Sequence, residues 1–106
     1  MLASLLAATL SAQAADLARG QSVYGANCTA CHGATGNGKG PAAVALTPKP
    51  TDFTAPGWSA SRSDADLAAA VRAGRPGTSM TPYTRLSDAE VADLVAYVRS
   101  LASVAP

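Results

Sequence analysis

Five consecutive residues, Cys28-Thr29-Ala30-Cys31-His32, carry the clearest chemistry in this 106-residue chain. Two thiols at this spacing at the end of a helix lie on one side, where each can add to a vinyl group of a haem. The following imidazole can then reach the iron from that same side. Cys-x-x-Cys-His is the attachment pattern of c-type haem. We therefore expect Cys28 and Cys31 to hold one haem c covalently, with His32 as an axial ligand of its iron.

Three other interpretations of the two cysteines explain less of the sequence. A thioredoxin-type redox pair belongs in a βαβ context, and the chain shows no alternating strand pattern. A structural zinc site normally has four protein ligands, whereas the chain has no Cys or His beyond Cys28, Cys31 and His32. A lone disulfide between the cysteines would leave the adjacent histidine unexplained.

The second axial ligand can be predicted by elimination. His32 is the only histidine, and a c-type haem iron pairs His with Met. Of the two methionines, Met1 would leave with a cleaved leader, so Met80 remains. It lies on a loop rich in Gly and Pro, just before the last predicted helix. The alternative is that Met80 fills a gap in the core. We favour ligation, because a His/Met site also suits electron transfer.

The first fifteen residues contain no charged side chain, unlike the rest of the chain. A leucine-rich apolar run followed by Ala12-Gln13-Ala14 is typical of a secretory signal peptide. We therefore expect residues 1–14 to be a signal peptide and residues 15–106 to form one mono-haem domain in the periplasm. The alternative, an ordinary N-terminal helix, would need a polar face. The run is shorter than the roughly 20 apolar residues of a membrane span, so it is not expected to cross a membrane. The mature chain, which would lack this run, is also expected to have no stable span.

The composition bears on which partners the chain could bind and on how its core is filled. The formal net charge is +1 and the basic residues are dispersed, which gives no reason to expect nucleic acid or an anionic membrane as a partner. Aromatic residues make up only 5% of the chain. A domain this small, with few large apolar side chains, is marginally stable without a staple, metal or cofactor. The composition therefore indicates that a cofactor completes the core.

Three helices are predicted to position these groups. The first runs from about Leu17 to Asn27, with Asp16 as its N-cap. The second follows a capping box at Ser63–Asp66 and ends near Gly74. One short helical turn is expected over Pro41–Leu46.

The third predicted helix is the most regular. It starts at a capping box, Ser87–Glu90. Asp88, Glu90 and Asp93 are expected to form its solvated face and to stabilise its start. Its apolar positions recur at helical spacing and comprise Val91, Leu94, Val95, Val98 and Leu101.

In these motifs the chain resembles the class I cytochromes c of the small bacterial type, and the resemblance covers the whole mature chain. It implies an all-α fold of about three main helices and short helical turns wrapped around one haem. It also implies an electron carrier without enzymatic activity, working between a donor dehydrogenase or cytochrome and an acceptor oxidase or cytochrome. One alternative is a haem subunit docked to a dehydrogenase or oxidase. A second alternative, which the motifs favour less, is a gas-binding or peroxidatic haem protein.

The resemblance also implies how the first and last helices meet. Gly20 and Tyr24 precede Cys28 at intervals of four residues. In the family, such a glycine and aromatic residue contact the last helix, here at Leu94 and Tyr97. The small glycine would allow the two helices to cross closely.

Two further residues acquire haem-environment roles only through the resemblance. Gly38-Lys39-Gly40-Pro41 is similar to the family's glycine-rich loop, in which a proline carbonyl accepts a hydrogen bond from the ligand histidine. Trp58 resembles a tryptophan that bonds a haem propionate, and a purely core role for its ring stays open. One position departs from the pattern: the family usually has proline directly after the ligand methionine, whereas here Thr81 precedes Pro82.

Overall fold

The computed structural model describes residues 15–102, so the expected signal peptide at residues 1–14 lies outside the described residues. The part described is helical and contains no strand, which confirms the all-α fold class. None of its helices has the length and apolar character needed to cross a membrane. The elements are α1 (Leu17–Asn27), α2 (Thr29–His32), 3₁₀ turns at Ala43–Ala45 and Ser59–Ser61, α3 (Asp64–Ala73) and α4 (Asp88–Ala102).

Local capping sets the starts of the three longer helices, as the sequence predicts. At α1, the Asp16 carboxylate accepts the Arg19 backbone N–H at 3.0 Å. A reciprocal capping box at Ser63–Asp66 starts α3. A second box, Ser87–Glu90, starts α4, with its two hydrogen bonds at 2.8 and 3.1 Å. Each cap satisfies N–H groups that have no partner within the helix, so the predicted starts of these helices are confirmed.

Helices α1 and α4 cross in direct contact at Gly20. A methyl group built on this glycine would lie 2.2 Å from the Asp93 carbonyl oxygen and 2.9 Å from the Tyr97 Cβ. One turn later, the Tyr24 and Tyr97 rings pack with their centroids 5.4 Å apart, and Leu94 belongs to the same buried cluster. The crossing that the resemblance implies is therefore confirmed.

Asp93 is not on a solvated face, and that expectation was wrong. Only 4% of the residue is exposed, because the start of α1 covers it. Its carboxylate accepts the Asp16 backbone N–H at 2.9 Å and the Arg19 Nε–H at 2.6 Å. The Asp16 N–H and then the Arg19 guanidinium hold the pKa of this carboxyl below its usual value. Asp93 therefore links the two helices instead of facing water.

The apolar core consists of two adjoining groups of buried side chains. The larger lies where α1, α4 and Phe53 meet, and the smaller joins α3 to α4 through Leu67, Val91 and Val95. Trp58, Val71 and Leu86 pack against both groups. All five predicted apolar positions of α4 are buried. Both groups include side chains from one side of α4, so α1, α3 and Phe53 all pack against this helix.

The short turn expected over Pro41–Leu46 is present but begins later, at Ala43. The Ala42 N–H donates to the Ala30 carbonyl at 2.9 Å, which joins this segment to α2. The Lys49 ammonium donates to the carbonyls of Ala43 and Val44 at 3.1 and 3.2 Å. These bonds hold the turn beside the Cys-x-x-Cys-His segment.

Candidate functional site

A cavity of about 380 Å³ lies between α2, α3, α4 and two loops. This volume is within the range of small-molecule and cofactor sites. The structure brings five of the six predicted site residues to its wall: Cys28, Cys31, His32, Trp58 and Met80. The sixth, Pro41, is exposed and is not among the lining residues.

The Cys-x-x-Cys-His segment forms a single helical turn directly after α1. The Cys28 N–H donates to the Tyr24 backbone carbonyl at 2.8 Å, and the His32 N–H donates to the Cys28 carbonyl at 2.9 Å. Gly33, at φ +85°, ends the turn. Both cysteine side chains are half-buried. Burial, and secondarily the neighbouring Cys31, raises the pKa of the Cys28 thiol to about 11.

The imidazole of His32 is held on two sides. It stacks on the Phe53 ring, with the centroids 4.4 Å and the planes 18° apart. Its Nδ1 lies 3.0 Å from the Thr51 carbonyl oxygen. Burial lowers the pKa of His32, partly opposed by this hydrogen bond, so the neutral ring is favoured. In the tautomer that donates from Nδ1, the lone pair of Nε2 is free for a metal.

The acceptor of this hydrogen bond corrects the expectation for Pro41. Thr51, and not Pro41, supplies the carbonyl. The reason is that the chain before Pro41 is bonded to the α2 backbone, with the Gly40 N–H donating to the Cys31 carbonyl at 3.0 Å. The later segment that ends at Phe53 crosses the His32 ring instead. Sequence reasoning missed Thr51 because nothing local marks a carbonyl acceptor.

Met80 lies half-buried on a loop with its own internal hydrogen bonds, residues 74–83, here called the Met80 loop. The Arg75 N–H donates to the Met80 carbonyl at 3.0 Å. The Met80 N–H donates to the Thr78 Oγ1, also at 3.0 Å. Both backbone polar groups of Met80 are therefore satisfied within the loop, which fixes the stem of its side chain at the cavity wall.

Gly74 permits this closed loop. Its φ is +72°, and a methyl group built on it would lie 2.6 Å from the Met80 carbonyl oxygen and 2.9 Å from the Pro82 nitrogen. Glycine is therefore required for the backbone angle and also for the close passage of the chain around Met80.

Comparison with known proteins agrees with this architecture. A sequence model of the Cytochrome c family matches residues 17–102. The chain belongs to the cytochrome c family. Members of this family carry covalently bound haem c, and this chain is a haem c domain.

Individual cytochromes show the extent of the similarity. The Cbb3-type cytochrome c oxidase subunit CcoP of Azospirillum sp. (strain B510) is 37% identical over 90 residues, which cover 85% of this chain and 30% of that subunit. Cytochrome c6 of Cyanidioschyzon merolae (strain NIES-3377 / 10D) is 32% identical over 85 residues, which cover 80% of this chain and 74% of that protein. The solved KustC0563 c-type cytochrome superposes with a TM-score of 0.65 at 29% identity, over 77% of this chain and 95% of that one. This chain thus spans less than a third of CcoP.

The side chains of this cytochrome c domain fit a haem. The lining offers two thiols, an imidazole and a thioether among apolar side chains. Its charged members are Lys49, Arg62 and Arg75, with no Asp or Glu among the lining residues. A cationic lining suits a ligand that carries carboxylates. Trp58 contributes a half-buried ring, packed on Phe53 with centroids 4.9 Å apart.

Proposed function

We propose that this cytochrome c domain is a one-electron carrier whose haem is attached through Cys28 and Cys31 and whose iron is ligated by His32 and Met80. The observation that carries the proposal is that all four side chains line one cavity. Bound haem supplies the one-electron change between ferric and ferrous iron. The protein supplies the two axial ligands and an apolar enclosure, both of which tune the potential.

The geometry of the two ligand residues supports electron transfer over catalysis. The Thr51 carbonyl and the Phe53 ring orient the His32 imidazole. The Met80 backbone is bonded within its own loop. If His32 and Met80 both bound the iron, no position on it would be left for a substrate. His32 is the only histidine, so no second imidazole is available as an acid/base for peroxide chemistry.

The absence of proline directly after Met80 does not weaken this assignment. The turn around Met80 is closed by Gly74 and by the Arg75 and Thr78 hydrogen bonds. Pro82, two residues after Met80, lies against Gly74 in the same turn. The loop is thus shaped by contacts that do not need a proline at position 81.

We further propose that the domain works in the periplasm after residues 1–14 are removed. Its partners would be a donor dehydrogenase or cytochrome and an acceptor oxidase or cytochrome. The similarity to a CcoP oxidase subunit supports a second arrangement, in which this domain is a haem subunit docked to an oxidase. In either arrangement Trp58 belongs to the haem environment.

Met80→Ala tests the ligand assignment. The ferric wild-type holoprotein should show the weak near-infrared band of sulfur-ligated haem, and the variant should lose it. The variant should also have a lower reduction potential, because the thioether favours ferrous iron, and it should bind carbon monoxide rapidly when reduced. Thr81→Ala, at the exposed neighbouring residue, is the control and should retain the band. Rapid carbon monoxide binding by the wild type, without a sulfur band, would contradict the carrier assignment and favour gas-binding or peroxidatic chemistry.

A further inference from the structure

Tyr83 connects the two sides of the cavity. Its backbone N–H donates to the Val71 carbonyl of α3 at 2.9 Å, and its hydroxyl donates to the Asn27 carbonyl at 3.1 Å. Asn27 directly precedes Cys28, and Tyr83 follows Met80 by three residues. Within residues 15–102 this is the one hydrogen bond that joins the Met80 loop to the end of α1 or to α2.

The acceptor of this bond is well placed to act as an anchor. Asn27 is the last residue of α1, where carbonyl groups lack partners within the helix. Its own side-chain amide donates back to the Val23 carbonyl at 2.8 Å, which holds the residue on α1. Tyr83 is half-buried and Asn27 is exposed, and both residues line the cavity. The rigid tyrosine side chain and its hydrogen bond therefore set the distance between the loop that carries Met80 and the segment that begins with Cys28.

We propose that Tyr83 is a positioning residue for the iron: its hydrogen bond to Asn27 holds the Met80 loop closed and sets the fraction of molecules in which the sulfur has left the iron. This inference rests on the proposed ligation by Met80. The covalent attachment fixes the haem relative to Cys28, so the Met80 sulfur keeps its place only while the loop keeps its distance from that segment. The bonds inside the loop fix its shape, and the bond from Tyr83 to Asn27 fixes where the loop lies.

The consequence can be measured with external ligands of the ferric iron. Such a ligand binds only the molecules whose sulfur is off the iron, so its apparent affinity is proportional to the open fraction. Removing one exposed hydrogen bond should raise that fraction about threefold. The increase should be the same factor for ligands of different size, because the open fraction multiplies every intrinsic affinity equally.

The experiment compares the wild-type ferric holoprotein with Tyr83→Phe, using cyanide and imidazole in separate titrations at one pH. Tyr97→Phe is the matched control, since it removes a hydroxyl from a tyrosine that does not line the cavity. We expect Tyr83→Phe to keep the near-infrared sulfur band in the absence of added ligand and to bind both ligands about threefold more tightly. Tyr97→Phe should bind them as the wild type does.

Four outcomes would overturn the proposal. If Tyr83→Phe matches the wild type while the wild type shows the sulfur band, Met80 ligation stands and the role of Tyr83 is wrong. An increase for imidazole alone would mean that the hydroxyl only crowds the space that the larger ligand occupies. An equal increase in both tyrosine variants would mean general loosening. A wild type without the sulfur band would contradict both Met80 ligation and this role of Tyr83.

Discussion

Gly20 on α1 and Asp93 on α4 approach so closely that a methyl group on the glycine would lie 2.2 Å from the aspartate's carbonyl oxygen. The side chain of the same aspartate accepts hydrogen bonds from Asp16 and Arg19, at the start of α1. The backbone of Asp93 thus sets the distance between the two helices, and its carboxylate sets their register. Cys28, which follows α1, is placed relative to α4 by this pair of contacts.

Gly20→Ala should destabilise the holoprotein by about 1–3 kcal/mol, because the added methyl group must push α1 away from α4. Thermal or urea unfolding, followed by circular dichroism, measures the change. Gly25→Ala is the matched control on the same helix, since a methyl group there would meet nothing within 4 Å. Alanine has the higher helix propensity, so the control should be up to about 1 kcal/mol more stable than the wild type. Equal effects at the two positions would show that Gly20 has no packing role.

Asp93 should make the stability of the domain depend on acidity. Its pKa is held below its usual value by the Asp16 N–H and by Arg19, so its stabilising contribution is fully present above the unfolded-state pKa of about 4. That contribution is lost as the pH falls through the lower folded-state value. Asp93→Asn should therefore lower the free energy of unfolding at neutral pH and flatten its decline between about pH 5 and pH 2.

Asp88→Asn is the control for this titration. Its carboxylate forms an exposed ion pair with Arg72, and exposed pairs contribute little to stability. If urea unfolding from neutral to acid pH gave Asp93→Asn the same profile as the wild type, the hydrogen bonds of the Asp93 carboxylate would not contribute to stability.

Gly74→Ala should displace the Met80 loop, because the methyl group would collide with the loop backbone in addition to the free-energy cost of a positive φ. Gly74 and Gly77 both have a positive φ, so alanine at either position costs about 1–2 kcal/mol. Only at Gly74 would the methyl group also collide, with the Met80 carbonyl oxygen 2.6 Å away, whereas Gly77 has open space around it. The near-infrared band should therefore weaken in Gly74→Ala and persist in Gly77→Ala. Equal band intensities in the two variants would refute a specific contact.

Cys28→Ala combined with Cys31→Ala should leave little folded protein in an export host. The two thiols are the proposed attachment points of the haem, and the domain has few large buried side chains apart from those around α4. The expected result is loss of covalently bound haem and of cooperative unfolding. A helical apoprotein of this double variant that unfolded cooperatively would contradict the idea that the cofactor completes the core.

The amino-acid sequence determined the elements that depend on near neighbours. The cap at Asp16 and the boxes at Ser63–Asp66 and Ser87–Glu90 join residues three apart, so a short stretch of sequence contains both partners. The Cys28–His32 motif is local in the same sense. The prediction of Met80 as a ligand needed only a count of residue types, because the one other methionine, Met1, lies in the expected signal peptide.

Only the tertiary structure decided which partners these residues meet. The acceptor for His32 lies 19 residues away at Thr51, and the donor to Asp93 lies 77 residues away at Asp16. Asp93 has the sequence context of a solvated helix residue, and it is buried because a different helix lies over it. The Thr51 and Asn27 acceptors are backbone carbonyls, which every residue possesses, so no residue type marks them in the sequence. Their roles arise when the chain packs α1 on α4 and brings the segments around the cavity together.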